Sequence, residues 1–269
     1  MGEREAPVQQ AAGAGPDRAP PRRRTPVALV CSPQTQAGTT LTARLLLDYV
    51  LSGFEPALGF DTNRHEPGLA AVFPHRTTVA DLASTRGQMT LFDTLIVGDG
   101  VPKVIDLWHV SYRLFFQRAA ELGFFEEARS RGVEPLVFLQ TDRKKRFVDE
   151  AGALLNRWPG LDVVLVHNRG LTDLRDGPRA HPAAHLAERP LIVPKLDGVV
   201  LRILEEPEIR VHRVLRSTQP EGEADLQRKI GDLAPVFDQF RLVELARDVG
   251  LPGRAMLPRE TIARRRSPA

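Results

Sequence analysis

Six short, mostly apolar runs recur through the middle of this 269-residue chain, at residues 27–30, 57–61, 94–99, 135–140, 163–166 and 191–193. A strand with one wet face alternates apolar and polar residues, whereas a strand covered on both faces reads as a nearly continuous apolar run. Stretches of helical periodicity separate the runs, so the sequence predicts helices over 39–51, 104–122, 144–158 and 180–188. Strand and helix in alternation require parallel strands joined by right-handed crossovers. The expected fold is therefore α/β: a doubly wound, mainly parallel sheet with helices on both faces, in three layers.

At 42% hydrophobic residues the chain can bury one full core with extensions on either side. The expected organisation is a disordered Pro/Arg-rich segment over 1–25, an α/β domain over 26–200, a C-terminal extension over 201–258 and a basic disordered tail over 259–269. The extension contains an amphipathic helix at 235–249, carrying Val236, Phe237, Phe240, Val243, Leu245 and Ala246, which either docks on the sheet or binds a partner. Lys plus Arg number 37 against 34 Asp plus Glu, a net charge of only +3. Arg22 to Arg24 and Arg264 to Arg266 put part of that excess in the terminal segments, as solvated tails or as weak contacts to nucleic acid or an acidic membrane surface. No run approaches the ~20 apolar residues of a membrane span, and the expectation is a cytoplasmic protein without one. Cys31 is the single cysteine, so no internal disulfide framework exists, and it reads as a small buried residue.

The most chemically suggestive stretch runs from Val27 to Leu47. An apolar strand ends in the loop Ser32-Pro33-Gln34-Thr35-Gln36-Ala37-Gly38, and Thr39-Thr40 open a helix. Free backbone N–H groups and the positive end of a helix dipole meet there, which is where an anion can sit. A phosphate loop normally adds several glycines and a lysine. Here Gly38 is the only glycine of the loop, and no lysine occurs between Pro26 and Lys103.

This layout resembles the deviant Walker A loop, K-G-G-x-G-K-T-T, of the MinD/ParA/Mrp group of P-loop ATPases. Aligned on the two threonines, that pattern covers Pro33 to Thr40, with both lysines and all three glycines replaced. The resemblance extends over roughly residues 26–200. It implies a P-loop NTPase fold, ATP and magnesium as possible cofactors, and Gln36, Ala37, Gly38, Thr39 and Thr40 as the phosphate-side residues, with Thr39 as the magnesium ligand. Asp61, at the end of the second run, matches the acid that assists the attacking water; an Asp at a strand end also caps turns and helices. Phe92 to Pro102 resembles the Walker B segment, with Asp93 on its upstream acid, Gly98 on the Walker B aspartate and Asp99 one residue late. His167-Asn168-Arg169 resembles the segment whose asparagine hydrogen-bonds adenine, so Asn168 and Arg169 join the expected nucleotide site. The resemblance also implies a homodimer or a protein partner.

Loss of the lysines implies loss of fast hydrolysis, because they stabilise charge on the transferring phosphoryl group. The leading expectation is a non-catalytic or very slow ParA/MinD-like protein acting through interaction in partitioning, positioning or mobilisation. The alternatives are an active magnesium-dependent ATPase in which Arg64, Arg169 or Lys103 replaces the lysine, and a ligase akin to dethiobiotin synthetase. Neither H-E-x-x-H nor G-x-S-x-G is present. Trp108, Tyr112, Phe115, Phe116, Phe124 and Phe125 form an aromatic stripe that reads as core, or as an interface where exposed.

Overall fold

The computed structural model describes residues 24–53, 56–141, 146–171, 190–207, 209–217 and 224–248. The elements run β1 (Thr25–Cys31), α1 (Thr39–Leu51), β2 (Leu58–Asp61), α2 (Gly68–Val72), β3 (Thr77–Val79), α3 (Thr85–Leu95), β4 (Lys103–Leu107) and α4 (His109–Glu121). They continue with α5 (Phe124–Ser130), β5 (Val133–Thr141), α6 (Arg146–Arg157), β6 (Asp162–Asn168), β7 (Leu191–Val193), α7 (Gly198–Glu205), α8 (Val211–Arg216), α9 (Ala224–Ile230) and α10 (Ala234–Asp248). Apart from Arg24 and Thr25, the latter already in β1, the two expected disordered ends lie outside the described residues, as does the expected helix at 180–188.

The seven strands form one parallel sheet in the order β3-β2-β4-β1-β5-β6-β7. Helices cover both faces, giving the doubly wound three-layer α/β fold. One face holds Phe92 of α3, Phe115 and Phe116 of α4, Phe124 and Phe125 of α5, and Trp158 after α6, packed on Leu29, Ile105 and Val137. The other holds Leu45 of α1, Leu69 of α2, Val200 of α7, Val214 of α8 and Phe240 of α10, packed on Val30, Val104 and Phe138. Alternate residues of each central strand thus feed different cores, which is why the runs are apolar throughout. The aromatic stripe is core: Tyr112, Phe115, Phe116, Phe124 and Phe125 are all buried.

Two expectations need correction. Residues 94–99 are not a strand: they end α3 and lead into a loop, because Leu91, Phe92 and Leu95 recur at helical spacing while Val97 is exposed. The strand lies at 103–107; its first residue, a buried lysine, precedes the stretch read as helix, and the other four fall within it. Lys103 Nζ donates to Val97 O at 3.0 Å, Val101 O at 3.3 Å and Asp99 Oδ1 at 2.8 Å, so its charge is accommodated without water. The short strand β3 at the sheet edge was also unforeseen.

The amphipathic helix of the extension is α10, and it docks on α1 and on β7. Gln239 closes the exposed edge of β7: Ile192 N donates to its Oε1 at 2.7 Å, and its Nε2 donates to Ile192 O at 3.1 Å. A side-chain amide thereby stands in for a further strand.

Candidate functional site

The strands adjacent to β1 are β4 and β5, and the helices that follow β1 and β4 lie on opposite faces of the sheet. Such a divergence opens a crevice at the carboxyl ends of the strands, the usual ligand position in open α/β sheets. Residues 32–38 fill its middle. Gln36 has φ 55 and Gly38 φ 83, so the loop curls through two left-handed residues before α1 begins. For Gln36 that conformation costs about 1 kcal/mol, a strain typical of ligand loops. Gly38 is the N-cap of α1 and, being glycine, supplies no side-chain cap, nor is any other found among the described residues. Thr39 is therefore not a helix cap, and the first-turn N–H groups are left available to an anion.

Gly38 has a second constraint. A Cβ there would lie 2.2 Å from Asn168 Nδ2, so the Asn168 side chain packs directly on the loop backbone. Asn168 Oδ1 accepts from Gly170 N at 2.9 Å, and the side chain is buried. The structure thus brings Asn168 to the loop from β6, two strands away from β1. In this arrangement its amide braces the loop, and reading a base edge requires it to turn. Arg169 follows it at the exposed rim, its N–H bonded to Val193 O.

Gly98, aligned with the Walker B aspartate, is not at this end of the sheet: it precedes β4, against the carbonyl of Arg131, and Asp93 lies within α3. The carboxylate that does reach the loop is Asp106, in β4, which the sequence reading passed over. Its Cα pairs with Val30 of β1 on one side and with Asp61 of β2 on the other. In-register neighbours on parallel strands share a face, so both carboxylates point toward α1. Asp106 is 3% exposed, and its Oδ1 has no hydrogen-bond partner among the described residues. Burial pushes its pKa up to about 7; the Thr40 hydroxyl draws it down, the Asp61 charge raises it, and Arg44 and the Thr39 hydroxyl lower it. The signal was legible: Val104-Ile105-Asp106 is an apolar run ending in an acid, after Pro102.

Asp61 is fully buried and engaged in local structure. Its Oδ1 accepts from Asn63 N at 2.9 Å, and its Oδ2 accepts from Leu69 N at 2.8 Å and Ala70 N at 3.4 Å, at the start of α2. Burial still raises its pKa, against those bonds and the charge of Arg44. Arg44, one turn beyond Thr40 on α1, donates from Nε and Nη2 to Gly68 O at 3.3 and 3.0 Å. A Cβ on Gly68 would lie 2.8 Å from Thr40 Cγ2, so only glycine allows α2 to approach the site this closely. On the other flank, Gln140 Nε2 donates to Thr42 Oγ1 at 2.8 Å.

The expected lysine substitutes separate clearly. Lys103 sits at the amino end of β4, opposite the loop, and cannot serve it. Arg64 pairs with Asp81 at 3.0 Å on the rim. Cys31 is fully buried at the end of β1, and burial raises its thiol pKa, so it is no nucleophile. No described helix is long and apolar enough to cross a membrane. No family model matches the chain, and no curated protein matches it.

Proposed function

We propose that this chain is a P-loop-type protein that binds a magnesium nucleotide, hydrolyses it slowly or not at all, and acts by interaction with a protein partner or a second copy. The observation that carries this reading is Asp106: a buried carboxylate with an unpartnered oxygen, facing two threonine hydroxyls at the start of a helix whose N-terminus has no side-chain cap. A hard divalent cation takes oxygen ligands of this kind. Asp106 and one threonine would hold magnesium, which when bound supplies charge neutralisation at the phosphate oxygens.

The curl of the loop favours a register one residue from the family alignment. Taking Gly38, in its left-handed conformation, as the last glycine of G-x-x-x-x-G-K-[ST] puts Thr39 in the place of the lysine and Thr40 in that of the metal-ligating hydroxyl. Thr40 acts on Asp106 more strongly than Thr39 does, in keeping with that shift. With threonine where the lysine belongs, the loop amides orient phosphate without a cation beside the transferring group. The ParA/MinD-like role in partitioning, positioning or mobilisation rests on the sequence resemblance.

Titration calorimetry with ATP and ADP, with and without magnesium, tests the reading. We expect saturable, magnesium-dependent binding that Asp106→Asn and Thr40→Ala weaken and Thr39→Ala largely spares. Absence of binding by either nucleotide in folded protein would overturn it.

A further inference from the structure

The far end of α1 opens onto a cleft of about 170 Å³ between α1, α8 and α10. Tyr49 lines it from α1 and Ser52 from the C-cap of that helix, His212 and Arg216 from α8, and Phe237 and Arg241 from α10. The 13 residues of α1 separate it from the phosphate loop by about 20 Å at 1.5 Å per residue, so the two do not form one site.

The charges around the cleft are unevenly matched. Asp48 is committed to His212, accepting from its N–H at 2.8 Å and facing its Nδ1 at 2.9 Å. Glu244 is committed to Tyr49, whose hydroxyl donates to it at 2.6 Å. Arg216 and Arg241 line the cleft and enter no ion pair among the described residues, and Asp238 is the one carboxylate on its wall. Burial and the Glu244 hydrogen bond raise the Tyr49 phenol, and the charges of Arg241 and Arg216 both oppose them, so the two guanidinium groups bear on the same point. Leu215 and Phe237 supply an apolar wall.

We propose that this cleft binds a small phosphate ester, with Arg216 and Arg241 gripping the phosphate and Leu215 and Phe237 covering its carbon body. Guanidinium forks match phosphate oxygens in geometry as well as charge. The concave shape and apolar wall select a compact ester over a bare ion, which gains nothing from Leu215 and Phe237. The site stands independently of whether the loop binds nucleotide.

The test is a ¹H–¹⁵N NMR titration of the full chain with phenyl phosphate, glycerol 3-phosphate and inorganic phosphate at constant ionic strength. We expect saturable shifts at the Ser52, His212 and Phe237 amides, with an ester binding ~10-fold more tightly than inorganic phosphate. Arg216→Gln and Arg241→Gln, both exposed and neutral to the fold, should each weaken it ~10-fold, and Asp238→Asn should tighten it. Shifts confined to residues 32–40, linear unsaturable shifts, or inorganic phosphate binding as well as the esters would overturn the proposal. So would displacement of the ester by a DNA duplex at lower concentration, which would mark a nucleic-acid surface instead.

Discussion

Strand β4 carries two buried ionisable side chains three residues apart, and they differ in one respect. Lys103, 1% exposed, has its ammonium held by two carbonyls and a carboxylate. Asp106, 3% exposed, keeps an oxygen with no hydrogen-bond partner among the described residues. Burying a charge is costly in either case, and among the described residues only the first is fully paired. A satisfied buried charge is part of the scaffold; an unsatisfied one at the carboxyl end of a parallel sheet marks a place where a ligand completes the structure.

The largest expected effect follows from that contrast. Lys103→Ala leaves two carbonyls without this donor and Asp99 with the Val101 N–H but no cation, and should destabilise the protein by about 2–4 kcal/mol, the partly exposed Asp99 keeping the loss below that of a fully buried pair. Near pH ~5.5 folded Asp106 still holds its proton, so Asp106→Asn should there leave stability within about 1 kcal/mol of the parent and gain on it only as pH rises. Urea denaturation of both variants without nucleotide measures the difference. If Asp106→Asn is the more damaging change, Asp106 belongs to the scaffold and the comparison fails.

Varying pH probes the same carboxylate. Aspartate in an unfolded chain titrates near ~3.9, whereas folded Asp106 is raised to about 7. Between those values the folded state holds a proton that the unfolded state releases. The contribution of Asp106 is thus complete below the unfolded pKa and is lost as pH rises through 7. The loss should reach up to about 4 kcal/mol by pH 8, since each tenfold difference in proton affinity between the two states is worth ~1.4 kcal/mol. Asp61 is raised as well and acts in the same direction. Denaturation midpoints between pH 4.5 and 8 should fall for the parent and flatten in Asp106→Asn. A parent whose stability rises across that range would show Asp106 ionised and compensated.

How much of this was legible in the sequence follows the range of the interactions. The bounds of α1 and β7 could be read from local pattern because an uninterrupted apolar run or a 3.6-residue period sets each of them. Strand β4 could not, since Lys103 breaks its apolar run and the groups that neutralise it, Val97, Asp99 and Val101, lie in a loop whose path no local rule gives. Asp106 was missed with it, although an acid closing the apolar pair Val104-Ile105 is a local sign of a strand end. The bracing of Gly38 by Asn168 joins residues 130 apart in the chain, so spacing could suggest both but not their contact. The capping use of Asp61 was among the readings the sequence allowed, and the structure shows its bonds to α2.

A smaller effect concerns the missing lysine. Gly38→Lys is a poor way to restore it, because Gly38 has φ +83 and any Cβ there meets Asn168. Thr39→Lys instead places the ammonium at the first residue of α1, and one charge-assisted contact adds about 1.5–3 kcal/mol to phosphate binding. ATP affinity by calorimetry should therefore rise ~10-fold or more. Unchanged affinity in folded Thr39→Lys protein would mean that the loop does not present phosphate to position 39.

The smallest effect separates Asp61 from Asp106, the two carboxylates that share a register on neighbouring strands. Asp61 accepts three backbone N–H groups through both oxygens, so Asp61→Asn turns one acceptor into a donor facing an N–H. That should cost about 2 kcal/mol, and relief of a buried charge returns part of it, leaving a net loss of about 1 kcal/mol. Because Oδ1 holds the Asn63 N–H and Oδ2 holds the start of α2, neither is directed at a water molecule beside a phosphate. Any slow ATP turnover should thus change less than ~3-fold in Asp61→Asn once stability is matched, a difference below ~1 kcal/mol in barrier. Magnesium dependence should persist in Asp61→Asn and vanish in Asp106→Asn. A turnover rate that collapses in Asp61→Asn while its thermal stability is unchanged would reverse the two roles, making Asp61 the chemical group and Asp106 its support.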